Sequence, residues 1–285
     1  MAPPLRSPWV WLPPAVGLAL LALVLATGAN RAVFLALNHA GHPLGSLFWL
    51  HLTMLGDGAV ALAIVLPCIR RVPHCFWGAL AAAVFAALWT QVTKQLIDMP
   101  RPLSVLAPEQ FYQAGPAYRR VSFPSGHAAA AFAMAGIWCM GMSGSRLLRA
   151  LLLLLATLVS LSRIMVGVHW PADILWGMLG GWLGAWLGLA MHGRWGWRTS
   201  GVGGFLAGLL LAGVAAALLV SQHMRIPAVL PAQRAVGCVS LVWGVWEMAR
   251  MLPRLRWLLR WRVRWRIRWR RAPWRQQQVK GRSDG

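Results

Sequence analysis

Eight apolar segments, most of them close to the roughly 20 residues that carry an α-helix across a bilayer, leave this chain few ways to fold. They lie at 9–28, 47–69, 75–97, 127–143, 147–166, 171–192, 201–221 and 235–252. Backbone N–H and C=O groups find no water in hydrocarbon, so each segment must satisfy its own. The expected architecture is an all-α, polytopic membrane helix bundle. Charged residues make up only 12% of the sequence, against about 25% in soluble domains, which excludes a water-soluble enzyme. The second segment is broken by Gly56-Asp57-Gly58, where Asp57 reads as a helix-end or turn residue. The first has some features of a secretion signal, with Arg6 before the apolar run and Ala26-Thr27-Gly28 after it. Its length and the spans that follow favour a retained anchor.

The net charge of +22 is unevenly spread: 13 of the 28 Lys and Arg residues, with one acid, lie from Arg250 onward. Placing the N-terminus inside puts 20 basic residues on the inner side and 8 outside, in keeping with the positive-inside rule. Within the tail, residues 261–270 alternate Trp-Arg-Val-Arg-Trp-Arg-Ile-Arg-Trp-Arg. An extended chain would put the apolar side chains on one face and the arginines on the other. Anionic head groups of the inner leaflet are the expected partner, at about 1 kcal/mol per basic residue near the surface. Trp and Arg also suit single-stranded nucleic acid, but a tail that follows directly on a span favours the membrane, and no nucleic acid is expected.

Four stretches follow: an anchor and interfacial segment at 1–54, a core at 55–193, two further membrane helices at 194–252, and the basic tail at 253–285. Cys68, Cys75, Cys139 and Cys238 have no metal-type spacing, and neither a disulfide framework nor a zinc site is expected.

Three polar clusters sit at the ends of apolar helices, where ionisable groups are costly and mark function. The first runs from Lys94 to Arg101-Pro102, the second is Pro124-Ser125-Gly126-His127, and the third joins Ser162-Arg163 to His169 and Asp173. Under the topology above all three emerge on the outer side. Lys94, Arg101 and Arg163 suit a phosphate group, which arginine can grip bidentately. Ser125 stands at a helix N-cap, and the free N–H groups of Gly126 and His127 make a second anion site. Pro171 is expected to open the sixth helix, leaving His169 just before it and Asp173 in its first turn. A carboxylate on one ring nitrogen fixes the tautomer and leaves the other nitrogen nucleophilic. His127 is then the general acid for the leaving oxygen. Asp98 is expected to hold Arg101 by an ion pair.

At these residues the sequence resembles the type 2 phosphatidic acid phosphatase and haloperoxidase superfamily. That family's signature is Lys, six residues, Arg-Pro; then Pro-Ser-Gly-His; then Ser-Arg, five residues, His, three residues, Asp. Lys94/Arg101/Pro102, Pro124 to His127, and Ser162/Arg163/His169/Asp173 match it without a gap. The resemblance covers roughly 55–193. It implies a metal-independent, cofactor-free hydrolase of lipid phosphates such as undecaprenyl pyrophosphate or phosphatidate, working through a phosphohistidine. It also implies a six-helix core with the site on the outer, periplasmic side of an inner membrane. Two alternatives remain open: a phosphotransferase that passes the phosphoryl group to a second lipid, and a non-catalytic lipid-binding or transport protein.

Overall fold

The computed structural model describes residues 7–117, 119, 121–142 and 144–251. The tail at 253–285, with its expected docking to anionic lipid, and Tyr118 and Arg120 lie outside the described residues. Twelve α-helices and no strand are found among the described residues. They are α1 (Pro8–Thr27), α2 (Asn30–Gly41), α3 (Ser46–Leu55), α4 (Gly58–Val65), α5 (Cys68–Arg71), α6 (Pro73–Leu96), α7 (Pro102–Val105), α8 (Gly126–Gly141), α9 (Arg146–Met165), α10 (Pro171–Trp195), α11 (Val202–Val220) and α12 (Leu230–Ala249). Helices α1, α6, α9, α10, α11 and α12 are each long and apolar enough to cross a membrane, and α3 with α4 forms a bent apolar pair of the kind found in broken spans and re-entrant loops. Helix α8, with 16 residues, is short for a crossing and lies inside the bundle. The protein is a multi-pass helical membrane protein.

Helix α10 is the centre of the bundle, packed chiefly against α6 and α8, with α1 on a third side. Small residues set how close these backbones come, as in other membrane helix pairs. A Cβ on Gly181 would stand 2.1 Å from the Ala129 carbonyl oxygen of α8, and one on Gly188 would stand 2.2 Å from the Gly78 carbonyl oxygen of α6. Helix α1 carries Pro13 and Pro14 in its interior. Pro14 has no N–H for the Val10 carbonyl; Trp182 Nε1 of α10 donates to that carbonyl at 2.8 Å instead.

The polar break at Gly56-Asp57-Gly58 bends α3 against α4 by 55°. Asp57 is the N-cap of α4, as its position implied: Oδ1 accepts the N–H groups of Ala59 at 2.9 Å and Val60 at 3.2 Å. Its Oδ2 meets His223 Nε2 at 3.2 Å, tying the break to the turn between α11 and α12.

Helices α11 and α12 form a hairpin against α4 and α5. Its fastener was not singled out in the sequence. Glu247, buried on α12, accepts from Arg70 Nε at 2.5 Å and Arg71 Nε at 2.7 Å. A carboxylate on an apolar helix needs such partners, so these arginines hold the hairpin. The expected interfacial stretch before α3 contains the ordered helix α2, whose Phe34 and Asn38 are fully buried.

Candidate active site

The site forms where α6 and α9 end and α8 and α10 begin. The chain leaves α9 at Met165 and turns at Gly167, whose φ is +77°. A Cβ there would stand 2.7 Å from the Tyr112 carbonyl oxygen, so this turn requires glycine. The N–H groups of Val168 and His169 then donate to the Arg163 carbonyl at 3.1 and 3.3 Å, and Pro171 opens α10.

Asp173 gathers this corner onto one oxygen. Its Oδ2 accepts from the Trp170 N–H at 2.9 Å, from Ser122 Oγ at 2.5 Å and from His169 Nδ1 at 3.0 Å. A carboxylate can only accept here, so Nδ1 carries the proton and Nε2 is left with its lone pair. Both side chains are buried. Burial, then Arg101, Arg163 and Lys94, hold the imidazole well below the usual histidine value of 6.5, because each disfavours a second positive charge. His169 is therefore neutral at physiological pH.

The three cations come from three places. Arg163, in the last turn of α9, is 4% exposed, and its Nη1 donates to Thr53 Oγ1 of α3 at 2.6 Å. Arg101, 8% exposed, donates from Nη1 to the Val168 carbonyl at 3.0 Å and from Nη2 to the Val121 carbonyl at 3.3 Å. Backbone carbonyls thus orient Arg101, rather than the Asp98 carboxylate expected from the sequence. Lys94, half-buried near the end of α6, completes the set.

Ser125 is fully buried as the N-cap of α8; its Oγ accepts the Ala128 N–H at 3.4 Å, and its own N–H donates to the Asp173 carbonyl at 2.9 Å. No described atom lies within 4 Å of the place a Cβ on Gly126 would take, so the space at this helix start is open. His127 follows as the second residue of α8 and lies within the electrostatic reach of Arg163, His169, Arg101 and Lys94.

All eight residues picked from the sequence, Lys94, Arg101, Ser125, Gly126, His127, Arg163, His169 and Asp173, are brought to this one end of the bundle. Two partners were missed, Thr53 on Arg163 and Ser122 on Asp173. Both are buried polar residues, and their position within or beside apolar segments was the only sequence signal available.

An apolar cavity of about 340 Å³ runs between α4, α6 and α8 and ends at Gly126 and His127. Its walls are small, including Ala61, Ala83, Ala87 and Ala130. Chemically, the arrangement offers a neutral histidine aimed by a carboxylate, three cations and a helix N-terminus for an anion, and a second histidine. An apolar channel leads away from them. Among the described residues no three His, Cys, Asp or Glu side chains converge as a metal site would require.

Residues 75–197 match the family model of the PAP2 superfamily. An undecaprenyl-diphosphatase of Sulfolobus acidocaldarius is 33% identical over 96 residues, which cover 34% of this chain and 45% of that protein. The chain thus spans less than half the length of that relative. The crystal structure of Aquifex aeolicus LpxE superimposes with a TM-score of 0.52 and 28% identity, covering 56% of this chain and 94% of that one. The PAP2 type phosphatidylglycerolphosphate phosphatase of Bacillus subtilis gives a TM-score of 0.48 at 22% identity, covering 64% and 97% of the two chains.

Proposed function

With residues 75–197 matching the PAP2 superfamily model, we propose that this membrane protein belongs to that superfamily and hydrolyses a lipid phosphate or pyrophosphate through a phosphohistidine. One observation carries the reading: the apolar channel between α4, α6 and α8 ends at His127, beside the buried cations and His169. A substrate that fits both halves has a hydrocarbon chain and a phosphate at its end.

In the proposed reaction His169 Nε2 attacks phosphorus in line. Lys94, Arg101 and Arg163 hold the equatorial oxygens, aided by the N–H groups at the start of α8. Stabilisation of this kind is the larger part of phosphoryl transfer. The bond to the leaving oxygen breaks as His127 gives it a proton. Water, deprotonated by His127, then attacks the phosphohistidine, releasing phosphate and restoring His169. Asp173 keeps the proton on Nδ1 throughout. No step needs a metal ion or cofactor.

The charge count on the two sides supports an inner membrane with this end facing outward, and the tail at 253–285 resting on anionic head groups at the inner leaflet. Undecaprenyl pyrophosphate and phosphatidate are the first substrates to try. The test is phosphate release by the detergent-purified protein in EDTA, from these two lipids, phosphatidylglycerophosphate and lipid A. Release that disappears in His169→Ala is the expected result. Release that persists in His169→Ala, or is lost in EDTA and restored by magnesium, would overturn the mechanism.

A further inference from the structure

Helix α2 lies outside the segment matched by the family model, yet one face of it reaches the corner that carries His169. Asn30, Phe34 and Asn38 are spaced by four residues and so stand one above another on that face.

Asn30 Oδ1 accepts the Ala172 N–H at 3.0 Å. Ala172 is in the first turn of α10, where the helix leaves its own N–H groups without partners. Asn38 works at the other end of the corner. Its Nδ2 donates to the carbonyls of Ile164 at 2.9 Å and Met165 at 3.3 Å, the last residues of α9. It also donates to the Tyr112 carbonyl at 2.9 Å, while Oδ1 accepts the Tyr112 N–H at 2.7 Å. Phe34, fully buried between them, packs its ring 5.0 Å from Trp170 and 5.6 Å from Phe111.

One helix face therefore grips the end of α9, the start of α10 and the residue after His169. The hydrogen bonds of Asn30 and Asn38 and the ring contacts of Phe34 involve none of the eight candidate site residues. The asparagines bond backbone groups and Phe34 packs among apolar side chains, so the face acts on where the corner 166–170 stands, not on its charge.

We propose that Asn30, Phe34 and Asn38 are positioning residues that hold His169 in line for attack. The inference rests on His169 being the nucleophile. In-line attack is sensitive to placement, and a misplacement of about 1 Å costs on the order of 10²-fold in rate.

The test compares kcat and KM for phosphate release from undecaprenyl pyrophosphate and phosphatidate in mixed micelles, with the melting temperature measured in the same detergent. Asn30→Ala removes the acceptor for the Ala172 N–H and is expected to lower kcat about tenfold or more with KM within about twofold. Asn30→Asp keeps an acceptor oxygen at the same place and should restore the wild-type kcat. Asn38→Leu should lower kcat about 10²-fold; if it does not fold, the Asn30 pair decides alone. A wild-type kcat in Asn30→Ala, an Asn30→Asp as impaired as Asn30→Ala, or a loss confined to KM would overturn the proposal. His169→Ala assayed alongside separates the two readings. If it is inactive while Asn30→Ala is unimpaired, positioning alone fails; if it is active, the nucleophile reading falls and this inference falls with it.

Discussion

Gly177 of α10 lies so close to Ser125 that a Cβ on the glycine would stand 2.4 Å from the Ser125 carbonyl oxygen. Ser125 caps α8 with its side chain and donates its N–H to Asp173. A close backbone contact between α10 and the start of α8 is thus made at the residue that opens the proposed anion site. Helix packing and site geometry are here the same contact.

Gly177→Ala is accordingly expected to do more than its one methyl group suggests. The contacted atom is backbone and cannot swing aside, so overpacking should destabilise the protein by about 1–3 kcal/mol. Displacing Ser125 should also lower the rate. Gly213→Ala is the control, because nothing lies within 4 Å of its Cβ position; it should leave the melting temperature unchanged or slightly raised. Thermal unfolding in detergent and the phosphate-release rate measure both effects.

Asp173→Asn should reduce kcat by about 10³- to 10⁴-fold, the scale seen when a histidine loses the carboxylate that sets its tautomer. The amide can still accept the Trp170 N–H, so the corner should remain folded. Ser122→Ala removes only one of the three donors to Oδ2 and should cost about tenfold. Circular dichroism and steady-state rates on the purified variants would separate loss of folding from loss of chemistry.

The pH profile follows from His169, whose imidazole is held below 6.5 by burial, Arg101, Arg163 and Lys94. In the proposed mechanism the reactive form is neutral, so the acid limb of kcat/KM should fall below pH 6.5. Stability follows with the same sign. Below 6.5 the unfolded chain takes up a proton that the folded site refuses, so stability rises with pH up to about that value and this group adds no further slope above it. An acid limb at or above 6.5 would contradict this placement of His169.

Filling the apolar channel should act on lipid length. Ala83→Trp puts an indole into the wall between α4, α6 and α8, far along the chain from the residues proposed to meet the phosphate. It is expected to raise KM for long-chain lipid phosphates at least tenfold, an effect of about 1.4 kcal/mol, and to spare short-chain ones. KM measured against chain length on one head group checks this.

Much of this protein was legible without a structure, and the residues say why. Lys94 to Arg101, Ser125 to His127 and His169 to Asp173 are each local patterns. Their chemistry depends on a helix end or a turn that a few neighbouring residues specify. Asp57 was readable as a cap for the same reason, and the apolar segments follow from the demand that a bilayer makes on every backbone group. The alternation of the apolar segments put the three clusters on one side, and the charge bias only chose which side that was.

What remained hidden were contacts between ordinary polar residues far apart in the chain. Thr53 meets Arg163 across 110 positions, Asn38 meets Ile164 across 126, and Arg70 meets Glu247 across 177. The expected Asp98–Arg101 pair went the other way: nearness in sequence suggested it, but folding placed the Val168 and Val121 carbonyls at the guanidinium. Threonine, asparagine and serine carry no spacing that names a distant partner. A hydrogen bond is decided by where its atoms stand to within a few tenths of an ångström, and only the packing of α2, α3 and α10 around the corner at His169 sets that.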